Sequence, residues 1–202
     1  MGGIGRVGRT VRIAAIAVVC LVATTAAQSP AIKIELAHGT EREHRTRDTL
    51  QRTLAIYDLK KYTFTKRVVI EERAINHAFP VLTLNARFAN EPDDLLSSYL
   101  HEQLHWHLRD RESRQRDAVA ELRRWYPKVP VGLPEGADSE ISTYGHLVDC
   151  YLEIVADREL IGPERTKVVV TNKPWYTWIY GTVLRDEERI ANIVNRYQLR
   201  VK

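Results

Sequence analysis

Apolar positions change period repeatedly along this chain, and each change marks an element. Ala31-Ile32-Lys33-Ile34-Glu35-Leu36 alternates apolar and polar residues, the period-two pattern of a half-buried strand. From Glu41 to Leu59 the spacing becomes helical, with Leu50, Leu54 and Tyr57 three and four residues apart. Arg67 to Glu71 and Pro80 to Asn85 read as two more strands, rich in Val, Ile and Leu. A helix is then expected from Pro92 to Arg111, opened by proline and two acids and carrying Leu96, Leu100 and Leu104 as its buried stripe. Further helices are expected over Arg114 to Tyr126, Glu140 to Leu160 and Val183 to Leu199, with a short strand at Lys167 to Thr171. The sum is an α+β chain: a small N-terminal β-sheet packed on one central helix, with further helices after it.

Composition changes this picture mainly at the start. Arg6, Arg9 and Arg12 precede an apolar run, Ile13 to Ala23, and then small residues through Ala27. That order is a secretory signal peptide over residues 1–27, and residues 28–202 form a single domain, periplasmic or secreted. The run is about eleven residues, too short for a permanent membrane span. The formal net charge is +4, and the leader holds three of the basic residues and no acid. A nearly neutral mature domain removes the compositional case for nucleic-acid binding. Only Cys150 remains after cleavage, so no internal disulfide is available.

The candidate chemistry lies on the two longest helices. His101-Glu102-Gln103-Leu104-His105 places two imidazoles one turn apart on one face, where they can share a metal ion, with Glu102 beside them to take a proton from water. A surface helix with two solvated histidines would carry the same letters, so the partners decide. His146, Asp149, Cys150, Glu153 and Asp157 recur at three and four residues on the later helix, a polar stripe where a core helix would be apolar. His107 points away from His105 and is read as a packing or surface residue. The Pro- and Gly-rich segment Lys128 to Ser139 is a loop and a candidate cleft wall.

His101-Glu102-x-x-His105 followed by Glu153-x-x-x-Asp157 resembles the gluzincins, zinc metallopeptidases in which a glutamate on a second helix completes the site. The resemblance covers roughly Asn90 to Leu160 and implies a zincin-like fold, a Zn2+ ion held by His101, His105 and Glu153, and Asp157 orienting a ligating histidine. Leu152 stands where the commoner gluzincin pattern has Asn. The metzincin pattern is excluded, because no third histidine follows at its spacing and Met1 is the only methionine.

The expected function is an exported zinc-dependent metallopeptidase acting on a peptide or protein substrate, with Glu102 as general base. His146 is a candidate donor to the oxyanion, as is Tyr180 or Tyr176 in the aromatic run before the last helix. Val81 to Asn85 is a candidate edge for pairing an extended peptide. The rival is an exported module with a closed, structural metal site that recruits His146 or Cys150.

Overall fold

The computed structural model describes residues 1–3 and 32–202; the leader expected over residues 1–27 lies outside the described residues but for its first three. Strands β1 (Lys33–Leu36), β2 (Arg67–Ile70) and β3 (Leu82–Leu84) form a parallel sheet in the order β1-β2-β3, with Ile34 beside Val68 and Val68 beside Leu82. Parallel neighbours need a crossover, and helix α1 (Glu41–Ile56) supplies the first. Thr40 caps α1 in a reciprocal box with Glu43. The buried Glu43 carboxylate also accepts backbone N–H groups of His38, Gly39 and Glu72, at 2.9, 2.7 and 3.1 Å. One side chain thus ties the end of β1, the start of α1 and the exit from β2 together.

Helix α2 (Pro92–Arg109) joins the two halves of the core. Leu95, Leu96, Tyr99 and Leu100 pack with Leu50, Leu54, Val68, Ile70, Leu82 and Leu84 against the sheet and α1. Leu104 and Leu108 enter a second cluster with Leu122, Leu147, Ile154, Ile179, Val183 and Ile190. Each such side chain contributes about 1.5–3 kcal/mol on leaving water, so α2 is anchored along its length. Helices α3 (Glu112–Trp125), α4 (Glu140–Ile161), α5 (Pro163–Asn172), α6 (Thr177–Arg185) and α7 (Glu187–Arg196) complete the described chain. Helix α4 is the hub, packing on α2, α3, α5, α6 and α7. The architecture is α+β, with seven helices and the small sheet among the described residues.

Two expectations are corrected. Lys167 to Thr171 is not a strand but part of α5: Gly162, at φ +83°, ends α4, and Pro163 starts a new helix at once. Thr166, Val169 and Val170 are buried while Val168 is exposed, so tertiary packing at helical spacing overrides the β-preference of the valines. The expected final helix, Val183 to Leu199, is two helices broken at Asp186, whose carboxylate instead binds Tyr126 Oη at 2.9 Å. Among the described residues no helix is long and apolar enough to cross a membrane.

Candidate metal centre

The seam between α2 and α4 carries the polar groups. His101 and His105 lie one turn apart on α2, and their Nε2 atoms stand 3.1 and 3.2 Å from the same oxygen, Oδ2 of Asp149 on α4. These are contact distances without hydrogen-bond alignment: both Asp149 oxygens are buried and unpaired. The nitrogens and the oxygen converge on a shared point instead of bonding to one another. His146 completes the group, and one ligand atom from each of His101, His105, His146 and Asp149 lies within 4.8 Å of every other. A buried carboxylate without hydrogen bonds is costly, and coordination of a cation is the usual compensation. These side chains could hold a metal ion, and the orphaned Asp149 oxygens fit one.

Neighbouring acceptors set the tautomers. His146 Nδ1 is 2.7 Å from the carbonyl of Ser142, which can only accept, so Nδ1 carries the proton and Nε2 keeps its lone pair. His101 Nδ1 donates to Glu153 Oε2 at 2.9 Å, so Nε2 is the nitrogen that faces Asp149 and that could ligate once it gives up its proton. Burial, then the neighbouring His101, pushes His105 down to about 3; burial, His101 and His105 push His146 down to about 4. Burial also opposes charge on His101, but Asp149, Cys150 and Glu153 outweigh it and hold that ring well above the usual histidine value. Asp149 is raised to about 6, chiefly by burial.

Glu153, expected as the third ligand, is placed on the other side of the His101 ring. Besides His101 Nδ1 it accepts from Ser97 Oγ at 2.6 Å, Tyr180 Oη at 2.7 Å and the buried Lys173 ammonium. Burial works against its charge, yet Lys173 and His101 hold its pKa far below the ordinary value. Glu153 also falls within 4.8 Å of His101 and Cys150 as a second, smaller donor group. Asp157 reaches no histidine; its Oδ2 is 2.7 Å from Ser97 Oγ. One hydroxyl proton cannot serve two ionised carboxylates, so Asp157 is the protonated member, giving its proton to Ser97 while Ser97 donates to Glu153. Burial and the charge of Glu153 raise the Asp157 pKa in agreement. The carboxylate that orients a histidine is therefore Glu153, with Asp157 one step behind it.

The two tyrosines also separate. Tyr180 is buried with its hydroxyl committed to Glu153. Tyr176 is half-buried, 4.6 Å from His146 between ring centroids, on a left-handed backbone of φ +57° that a side chain rarely adopts. His107 is a packing residue, buried against Phe64 with Nε2 donating to the Leu199 carbonyl at 2.8 Å. Asp149 belonged to the polar stripe legible in the sequence, but Lys173 and Ser97 were not singled out. Ser97 precedes His101 by one turn on the same face, whereas nothing local marks a lysine beyond the end of α5.

These groups open into a cleft of about 420 Å³ lined by His101, Glu102, His105, His146 and Tyr176. Burial raises the Glu102 carboxyl to about 7. The loop 128–139 does form a wall, through Leu133 and Asp138. It is pinned by Thr143 Oγ1 donating to the Pro130 carbonyl, and Gly136 passes so close to that carbonyl that a Cβ would lie 2.2 Å from its oxygen. The edge of β3 is not free for strand addition, because His77 pairs antiparallel with Thr83 along it. Comparison with protein-family models, with curated proteins and with solved structures returned no match.

Proposed function

We propose that this chain is an exported, zinc-dependent hydrolase of zincin-like, gluzincin-type organisation that cleaves peptide bonds. The observation that supports it most is Asp149, buried with neither oxygen bonded and facing the Nε2 atoms of the two motif histidines. His101, His105 and Asp149 would hold the metal, with His146 within reach as a further ligand. When bound, zinc polarises a carbonyl and lets a nearby water lose its proton near neutral pH. Glu102, buried at the floor of the cleft, takes that proton and later delivers it to the leaving amine. Tyr176, whose phenol is not committed to Glu153, donates to the carbonyl oxygen as it gains charge. Glu153 keeps the His101 Nδ1–H in place, and Lys173 balances the carboxylate.

Metal content of the refolded wild type, Asp149→Ala and Glu153→Gln tests the assignment. Stoichiometric zinc in the wild type, loss in Asp149→Ala, and an affinity only about 10–100-fold weaker in Glu153→Gln are expected. Full zinc in Asp149→Ala would return the ligand role to Glu153. Glu102→Gln should keep the metal and lose proteolysis of a fluorescent casein by about 10²–10⁴-fold.

The proximity of four donors favours one second reading, a closed structural site in which His101, His105, His146 and Asp149 all bind the ion. Acetohydroxamate separates the two, since only a site with an open position binds it through the metal.

A further inference from the structure

Large apolar side chains left in solvent are ordinary when scattered and informative when they converge. Ile75 is 78 %, Leu133 67 % and Phe79 42 % exposed, and all three line the cleft that holds His101, Glu102 and His105. They come from two distant segments, the stretch before β3 and the loop before α4. Phe88 and Trp175, with ring centroids 5.9 Å apart, add a third apolar wall. Arg87, itself a lining residue, lies 4.7 Å over the Trp175 ring, and Arg109 lies 5.1 Å over the Phe79 ring. Among the described residues neither guanidinium has a carboxylate in ion-pair range.

The polar groups of the cleft are largely spoken for. Lys173 and Tyr180 are bound to Glu153, and the histidines face Asp149. Glu102, assigned above to the proton of the water, and Asp138 are the acids among the lining residues, and the unpaired guanidiniums of Arg87 and Arg109, stacked on the apolar walls, add positive charge beside them. A cationic side chain would meet repulsion at the rim and little compensation inside, whereas an apolar one covers surface that is otherwise wet. We infer that the cleft selects a peptide segment carrying a large apolar side chain, of leucine or phenylalanine type, beside the group presented to the histidines. This inference rests on the open-site reading above.

The test uses the zinc-loaded full chain and calorimetric affinities for acetohydroxamate and for the hydroxamates of N-acetylated glycine, leucine, phenylalanine and lysine. The leucine and phenylalanine compounds should bind about 10–100-fold more tightly than the glycine one, and the lysine compound no more tightly than glycine. Ile75→Ser combined with Leu133→Ser should bring the ratio towards one while zinc content and acetohydroxamate affinity hold; both positions are exposed, so the fold tolerates the change. Equal affinities across the series, or a preference for lysine, would overturn the inference. Failure of every hydroxamate defeats the open-site reading instead. In that event, NMR titration of the metal-free chain with N-acetylphenylalaninamide against N-acetylglycinamide decides the matter: selective shifts at the wall residues uphold the apolar site, and their absence removes it.

Discussion

Asp149 and Glu153 stand one turn apart on the same face of α4, each with 0 % of its surface exposed, and they meet opposite surroundings. Ser97, His101, Lys173 and Tyr180 close on Glu153, and no donor closes on Asp149. Glu43, in the first turn of α1, repeats the first solution with backbone N–H groups from four residues. Burial alone therefore says little about a carboxylate's purpose. A buried acid encircled by donors belongs to the fold's fixed wiring, whereas one left unpaired against two imidazole nitrogens could hold a cation.

The largest expected effect breaks the first half of that contrast. In chelator, without metal, Glu153→Gln removes the carboxylate paired with the buried Lys173 ammonium and should cost about 3–5 kcal/mol in urea unfolding. Asp149→Asn removes no hydrogen bond and should stay within about 1 kcal/mol of the wild type under the same conditions. Equal losses would erase the distinction between the two acids.

On the proposed zinc site, the stability gained on adding the metal should rank the two variants the other way. At zinc about 100-fold above its dissociation constant the wild type gains about 2.7 kcal/mol of stability. Glu153→Gln recovers that gain when zinc is raised roughly a further hundredfold, because it has lost an orienting contact. Asp149→Asn should not recover it, because on the proposed assignment it has lost a ligand. Thermal unfolding across a zinc series measures both, and recovery in Asp149→Asn would place the ion elsewhere.

Much of this arrangement is legible in the sequence, for reasons of period. The spacing of His101 and His105 fixes them on one helical face, and the Leu96, Leu100 and Leu104 stripe puts that face at the border of the core. The stripe from His146 to Asp157 announced that α4 carries polar groups inward. Which acid on it faces the nitrogens was not legible, because residues 149 and 153 share a helical face and only the rotation and depth of α4 against α2 tells them apart. Lys173 enters from beyond a helix that the valines disguised as a strand, and its contact with Glu153 reaches across the α4–α5 turn at Gly162, which no local pattern encodes. Tyr176 and Tyr180 are likewise separated by one turn at the start of α6, which decides whether a phenol is bound to Glu153 or left uncommitted in the cleft.

Glu43 allows the satisfied half of the comparison to be checked far from the candidate metal. Burial would raise its pKa, but the N–H groups of His38, Glu72, Gly39 and Thr40 outweigh burial and hold it below the ordinary 4.5. A carboxylate depressed in this way stabilises the fold fully above the unfolded value, and the contribution is lost as pH falls through the lowered folded value. Glu43→Gln keeps an acceptor but surrenders the charge that strengthens those bonds, so it should cost about 1.5–3 kcal/mol near neutral pH. The gap between wild type and variant should hold down to about pH 5 and narrow steadily below about pH 4, as the wild-type carboxylate takes up its proton. Denaturant unfolding across that range measures it. A gap unchanged down to about pH 3 would mean that those N–H groups hold the shape of the side chain and not its charge, and Glu43 would no longer serve as the counterpart of Asp149.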